Sequence, residues 1–304
     1  MKYIQLIRFK KLLLLVFLQF ILRYGFLKLN KIELALPDVQ YCLLVLSTVL
    51  IVAGGYVLSS ILKQQNNSQY PESISISKSI SENEAYNIYF VLNIIGVLIG
   101  YYLSNQIQRP GFLVFFILIA TLLYFYATQL QQIRLLQNIV VALMMPLSII
   151  IIGFFDLFPA TDASNKEIMR TYFSILLDYA FIAFIINFSY EIIKDLENAR
   201  YSTKQSLQNF NTNTSKYVAA FLLLVAIIFI LLYVNNYLVQ NNLFYATFYI
   251  LFFITAPLIY VFIRLINSKI KAEFYQLSTI LQWIIFLGIL SVFIISKNII
   301  HNVI

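Results

Sequence analysis

Apolar residues in this chain run nearly unbroken for stretches of about twenty, a length that lets a helix cross the hydrocarbon core of a bilayer. Such stretches fall at 4–27, 41–62, 85–103, 112–128, 137–154, 171–192, 216–237, 243–265 and 276–296. They predict nine helices, the fourth and fifth being the shortest. The connections are mostly short, so neighbours in sequence are expected to pack antiparallel. No soluble domain is interposed, and a single domain over residues 1–304 is expected.

Local punctuation refines these elements. Ser81-Glu82-Asn83-Glu84 has capping-box spacing and starts the third helix. Pro146 and Pro257 fall inside the fifth and eighth spans, where each should kink its helix. Gly54-Gly55 in the second span reads as a point of close helix packing. Residues 74–80 alternate isoleucine or lysine with serine and read as a surface-lying segment. Lys31 to Asp38 reads as an interfacial stretch ended by Pro37.

Composition agrees. The chain is 61% hydrophobic and 11% charged, with a mean hydropathy of +0.83. A soluble domain of this size cannot cover so much apolar surface, so the bilayer is expected to be its solvent. The first apolar run, Leu12 to Leu22, is followed by Arg23-Tyr24 in place of a small-residue cleavage site, so it is expected to stay as a span. Cys42 is the one cysteine. It excludes an intramolecular disulfide and is expected to be a buried, inert thiol.

Lysine and arginine are unevenly placed. With the N-terminus on the cytoplasmic side, the inner connections hold Lys2, Arg8, Lys10, Lys11, Lys63, Lys78, Arg134, Lys194, Arg200, Lys204, Lys216, Arg264, Lys269 and Lys271. The outer ones hold Lys28, Lys31, Arg109, Lys166, Arg170 and Lys297. This asymmetry predicts N-in, C-out. It also accounts for the formal charge of +8 without a nucleic-acid partner.

Candidate chemistry concentrates where the sixth span ends, in Tyr190-Glu191-Ile192-Ile193-Lys194-Asp195-Leu196-Glu197. Glu191 and Asp195 share a helix face, with Asn198 on its next step. Carboxylates at a bundle mouth can hold a divalent cation, and acids at a membrane edge also serve as solvated anchors. Asp178 is an acid inside the sixth span, with Arg23 and Arg170 as conceivable partners. His301 has no companion for metal or acid-base work. No Gly-rich phosphate loop, Cys/His metal spacing or nucleophile triad occurs.

Several stretches together carry a family resemblance. They are Leu6-Ile7-Arg8-Phe9-Lys10, Leu46 to Ile51, Gly55-Tyr56, Glu84-Ala85-Tyr86, Tyr89 to Asn93, and Glu191 to Glu197. In combination they resemble the UbiA superfamily of intramembrane prenyltransferases, most closely bacterial members acting on glycerol-phosphate or aromatic acceptors. The resemblance covers nearly the whole chain. It implies an all-α, polytopic, nine-helix transmembrane bundle in a bacterial inner membrane. It also implies two acidic motifs that hold magnesium against the diphosphate of a polyprenyl donor, because that leaving group departs as a highly charged anion.

The chain departs from that pattern. The Asn-Asp pair of the first motif, Asn-Asp-x-x-Asp-x-x-x-Asp, aligns with Ser59 and Ser60, and its later aspartates with Lys63 and Asn67. In the second motif Asp195 and Glu197 remain, while the next acids align with Asn198 and Ser202. An ammonium among the ligands repels a divalent cation, by roughly 4 kcal/mol per unit pair at 4 Å and an effective dielectric near 20. The expectation is therefore a degenerate homologue without ordinary transferase activity and without a required cofactor, Asp195 being the residual metal candidate. Lys63 and Lys194, with Ser59, Ser60, Asn67, Asp195, Glu197 and Asn198 around them, would bind an anionic lipid or isoprenoid phosphate directly. The chain could also be a subunit of a membrane complex. The alternative is a working magnesium-dependent prenyltransferase using Asp195 and Glu197.

Overall fold

The computed structural model describes residues 6–66, 81–130, 134–198 and 212–303. Among them every regular element is helical. The first span is α1 (Phe9–Phe20), which widens into a π-helical turn at Ile21–Leu27. There follow α2 (Asp38–Asn66), α3 (Glu82–Gln106), and α4 (Leu113–Thr128) behind a 3-10 turn at Pro110–Phe112. Next come α5 (Arg134–Ile152), ending in a π turn at Gly153–Leu157, then α6 (Lys166–Asn198) and α7 (Thr212–Tyr233) with a π turn at Val234–Val239. The eighth span is α8 (Phe244–Ile250), a π turn (Leu251–Thr255) and α9 (Ala256–Asn267), and α10 (Lys271–Val303) closes the chain. Eight of these spans are long and apolar enough to cross a membrane.

The helices run longer than the apolar cores that announce them, since polar residues extend them beyond the hydrocarbon. Ser81 caps α3 through a complete capping box, its hydroxyl accepting from the Glu84 N–H. Pro146 lies inside α5. Pro257 lies inside the eighth span, Phe244–Asn267, just after the π turn at Leu251–Thr255 and in the first turn of α9, where a missing N–H costs least. The 74–80 segment lies outside the described residues. The expectation for Cys42 fails: its thiol is exposed, on the same outward stripe of α2 as Val39 and Leu46. That stripe is apolar because its solvent is lipid, so hydrophobicity did not mark the buried face.

The chain divides into two compact units. The first comprises Met1–Gln19, Glu33–Val140 and Leu147–Phe173. In it α2 packs against α3 and α4, and glycines set the approach. A Cβ at Gly55 would lie 2.9 Å from Leu123, and one at Gly96 would lie 2.7 Å from Ile51. Ser47 Oγ donates to the Gly96 carbonyl at 2.7 Å across the same seam. The fully buried Gln19 side chain accepts from Thr48 Oγ1 at 3.0 Å and donates to the Ser148 carbonyl at 3.3 Å, while Tyr41 donates its hydroxyl to the Gln19 carbonyl. Asp156 is fully buried. Its carboxylate accepts from the Leu36 N–H at 3.2 Å and its carbonyl from the Ala35 N–H at 3.0 Å, which ties down the stretch ending at Pro37.

The second unit comprises Phe20–Ile32, Val141–Pro146 and Ser174–Ile304. Here α10 packs along the first π turn, α8 and α9, and α9 packs against α7. Buried polar groups on α10 are spoken for. Asn298 accepts the Ala246 N–H at 3.0 Å, the Leu287 carbonyl accepts the Tyr249 hydroxyl at 3.0 Å, and Ser291 meets the Tyr179 hydroxyl at 3.0 Å.

Candidate functional site

In the second unit, the end of α6 carries Tyr190, Glu191, Lys194, Asp195 and Glu197. The i to i+4 spacing stacks Lys194 over Tyr190, and its Nζ donates to the Tyr190 hydroxyl at 3.1 Å while lying 5.6 Å from that ring's centroid. From α10, the Gln282 amide meets the same hydroxyl at 2.6 Å. One turn earlier on α10, Ser278 Oγ approaches Glu197 Oε2 at 3.1 Å. Tyr190 is 4% exposed, whereas Lys194, Asp195 and Glu197 are half-buried. Lys194 shares this end of α6 with three carboxylates, those of Glu191, Asp195 and Glu197.

In the first unit, Ser59 is fully buried and Ser60 donates back to the Tyr56 carbonyl at 2.8 Å within α2, the usual fate of a hydroxyl in an apolar helix. Arg8 lies over the Tyr56 ring at 5.2 Å. The side chains of Lys63 and Asn198, and all of Asn67, lie outside the described residues. Ser59 and Ser60 belong to one unit and Lys194, Asp195 and Glu197 to the other, so the structure describes the predicted residues as two separate sets. Asp178 is half-buried on α6 and makes no hydrogen bond or ion pair with Arg23 among the described residues. Arg23 itself is 1% exposed. Reasoning from carboxylates missed Tyr190, Gln282 and Ser278. Ser278 and Gln282, one turn apart among the polar residues of the ninth span, were the signal available.

Two solved structures are similar over almost the whole chain. One is a digeranylgeranylglyceryl phosphate synthase, with a TM-score of 0.69 and 18% identity over 97% of this chain and 97% of that one. The other is a UbiA homolog from Archaeoglobus fulgidus bound to GPP and Mg2+, with a TM-score of 0.57 and 15% identity over 96% of this chain and 99% of that one. No protein-family model matches the chain, and no curated protein matches it. Likeness at such identities establishes fold. The chain is an all-α, multi-pass integral membrane protein with the UbiA-type fold.

Proposed function

We propose that this protein uses the UbiA-type bundle to bind an isoprenoid or lipid phosphate directly, without the magnesium-assisted ionisation that fold can support. The observation that carries this is the Lys194 ammonium, which donates to the neutral Tyr190 hydroxyl at 3.1 Å. An ammonium beside a hydroxyl and an amide offers a phosphate charge-assisted hydrogen bonds, worth about 1.5–3 kcal/mol each.

The donor set does not fit a pair of magnesium ions. Magnesium demands octahedral oxygen and leans on carboxylates, but positions 59, 60, 63 and 67 supply serine, serine, lysine and asparagine. Asp195 and Glu197 are two apart on a helix and diverge, and Glu197 is engaged by Ser278. A subunit of a membrane complex would hold such a lipid through the same lysine.

The second reading, a working prenyltransferase, is favoured by the GPP and Mg2+ bound in the Archaeoglobus fulgidus neighbour. Purified protein assayed with geranylgeranyl diphosphate and several acceptors decides between them. We expect no magnesium-stimulated diphosphate release. Lipid phosphate should co-purify with the natural chain in EDTA and fall at least fivefold in Lys63→Ala and Lys194→Ala. Turnover abolished by Asp195→Ala, or lipid retention that needs magnesium and ignores both lysines, would reject the binding role.

A further inference from the structure

We propose that the seam between α6 and α7 is a docking surface for a transmembrane helix of a partner protein, one that carries a lysine or arginine to meet Asp178. The proposal stands apart from the phosphate-binding reading, since it uses none of the residues of that site.

The seam is built within the second unit. The Phe181 and Phe229 rings lie 4.9 Å apart, and one turn along, the Tyr179 and Tyr233 rings lie 6.5 Å apart. Tyr179 is occupied, its hydroxyl being 3.0 Å from Ser291 Oγ. Tyr233 differs: it is 8% exposed, yet its hydroxyl makes no hydrogen bond among the described residues. Asp178 lies within electrostatic reach of that phenol. Its carboxylate likewise makes no hydrogen bond or ion pair among the described residues. Tyr233 turned toward Asp178 would offer a single proton to a group with about four acceptor sites, and would leave its charge in place.

Bulk water does not complete the set. Measured from the ends of their spans at Lys166 and Val239, Asp178 lies about 18 Å and Tyr233 about 9 Å inward, at ~1.5 Å per residue. The headgroup layer of a leaflet takes about 5–8 Å, so both groups lie below it. Asp178 is half-buried, and its neighbours Leu177 and Phe181 are exposed and apolar. What faces it is therefore lipid, or a helix that displaces lipid. Acids inside a bilayer are held by a partner, and the complement of a carboxylate is a base. The ammonium of a lipid rides in the headgroup layer, too high to reach Asp178. A lysine or arginine on a helix can sit at any depth and brings its own apolar stem. The rim of the seam, Leu177 and Phe181 on α6 with Ile228 and Leu232 on α7, is exposed and gives such a helix apolar surface to pack on.

The test places the full chain, with a donor dye on the exposed Cys42, in phosphatidylcholine vesicles. The probes are acceptor-labelled polyleucine peptides of membrane-spanning length, with lysine, leucine or glutamate at one position about a third of the way along. Association is read as energy transfer against peptide content, and folding of each variant is checked by thermal unfolding. The natural chain should take up the lysine peptide about tenfold more strongly than the leucine one, and the glutamate one least. Asp178→Asn should remove the preference for lysine. Tyr233→Phe should weaken lysine association about threefold, and it serves where the asparagine variant fails to fold. Equal association of the lysine and leucine peptides, or a lysine preference unchanged in these variants, overturns the proposal. So does evidence for another occupant where no peptide is preferred. Self-association that Asp178→Asn abolishes would assign the seam to a second copy. A thermal midpoint that rises with phosphatidylethanolamine only when Asp178 is present would assign it to a lipid amine.

Discussion

Polar side chains in this molecule are assigned partners one by one, and the partners lie far away in sequence or only a turn off. Gln282 and Tyr190 are 92 positions apart, while Lys194 reaches Tyr190 from four positions on. The connection ahead of α6 shows the local kind. Asp162 accepts from the Ser164 hydroxyl at 2.6 Å, from the Ser164 N–H at 2.7 Å and from the Asn165 N–H at 3.0 Å. These bonds, the Ser164 hydroxyl first, hold its carboxyl below the ordinary value of 3.8. A lowered folded pKa contributes stability that is present above the ordinary value and lost as pH falls through the lowered one. Protection factors of the Ser164 and Asn165 amides, taken against the intrinsic exchange rate at each pH, should therefore stay level from neutral pH to about 5, and fall only once the pH drops below the ordinary carboxylate range. Asp162→Asn, which keeps an acceptor but no charge, should remove the acid transition. An acid-induced loss of protection persisting in that variant would assign it to another group.

Three helical stretches end alike, and none of them uses glycine to do it. After the first, third and seventh spans, the chain turns through Lys31, Gln108 and Asn242, at φ of 57°, 56° and 55°. Each turn closes with the bond pair of a Schellman motif: Lys31 to Lys28 with Ile32 to Leu27, Gln108 to Asn105 with Arg109 to Ser104, and Asn242 to Val239 with Leu243 to Leu238. A left-handed conformation costs an L-residue with a Cβ about 1 kcal/mol more than it costs glycine. Gln108 is exposed, so Gln108→Gly should raise the unfolding free energy by about 0.5–1 kcal/mol. Thermal unfolding in detergent would show this as a higher midpoint, and a lower one would mean that the Gln108 side chain holds the turn in another way. The spans themselves were plain from their apolar runs. Their exits were not, because the usual glycine signal is missing and the lysine, glutamine and asparagine that replace it occur in any polar connection.

For the chain as a whole, fold and orientation are separate matters. The fold is the UbiA-type bundle, by likeness over 97% of the chain to a digeranylgeranylglyceryl phosphate synthase structure. Orientation follows from the lysine and arginine asymmetry and predicts that Lys63 to Glu84 and Lys194 to Ser215 face the cytoplasm. Single cysteines at Ser68 or Ser206 should resist impermeant thiol reagents in intact cells and react after permeabilisation. The native Cys42 must first be replaced, since its exposed thiol would confound the readout. Labelling of either position from outside would reverse the orientation.

The number, order and approximate limits of the spans were present in the linear pattern, because bilayer thickness acts on contiguous chain length and needs no tertiary partner. So was the loss of acidic ligands at positions 59, 60, 63 and 67, which is a matter of residue identity. Packing alone decided which polar groups meet. Apolar residues cover both the lipid-facing and the inward faces of each helix, so periodicity does not tell them apart. That is why Cys42 came out exposed and Gln19 fully buried. It is also why the meeting of Gln282 on α10 with Tyr190 on α6 emerged only from the tertiary structure.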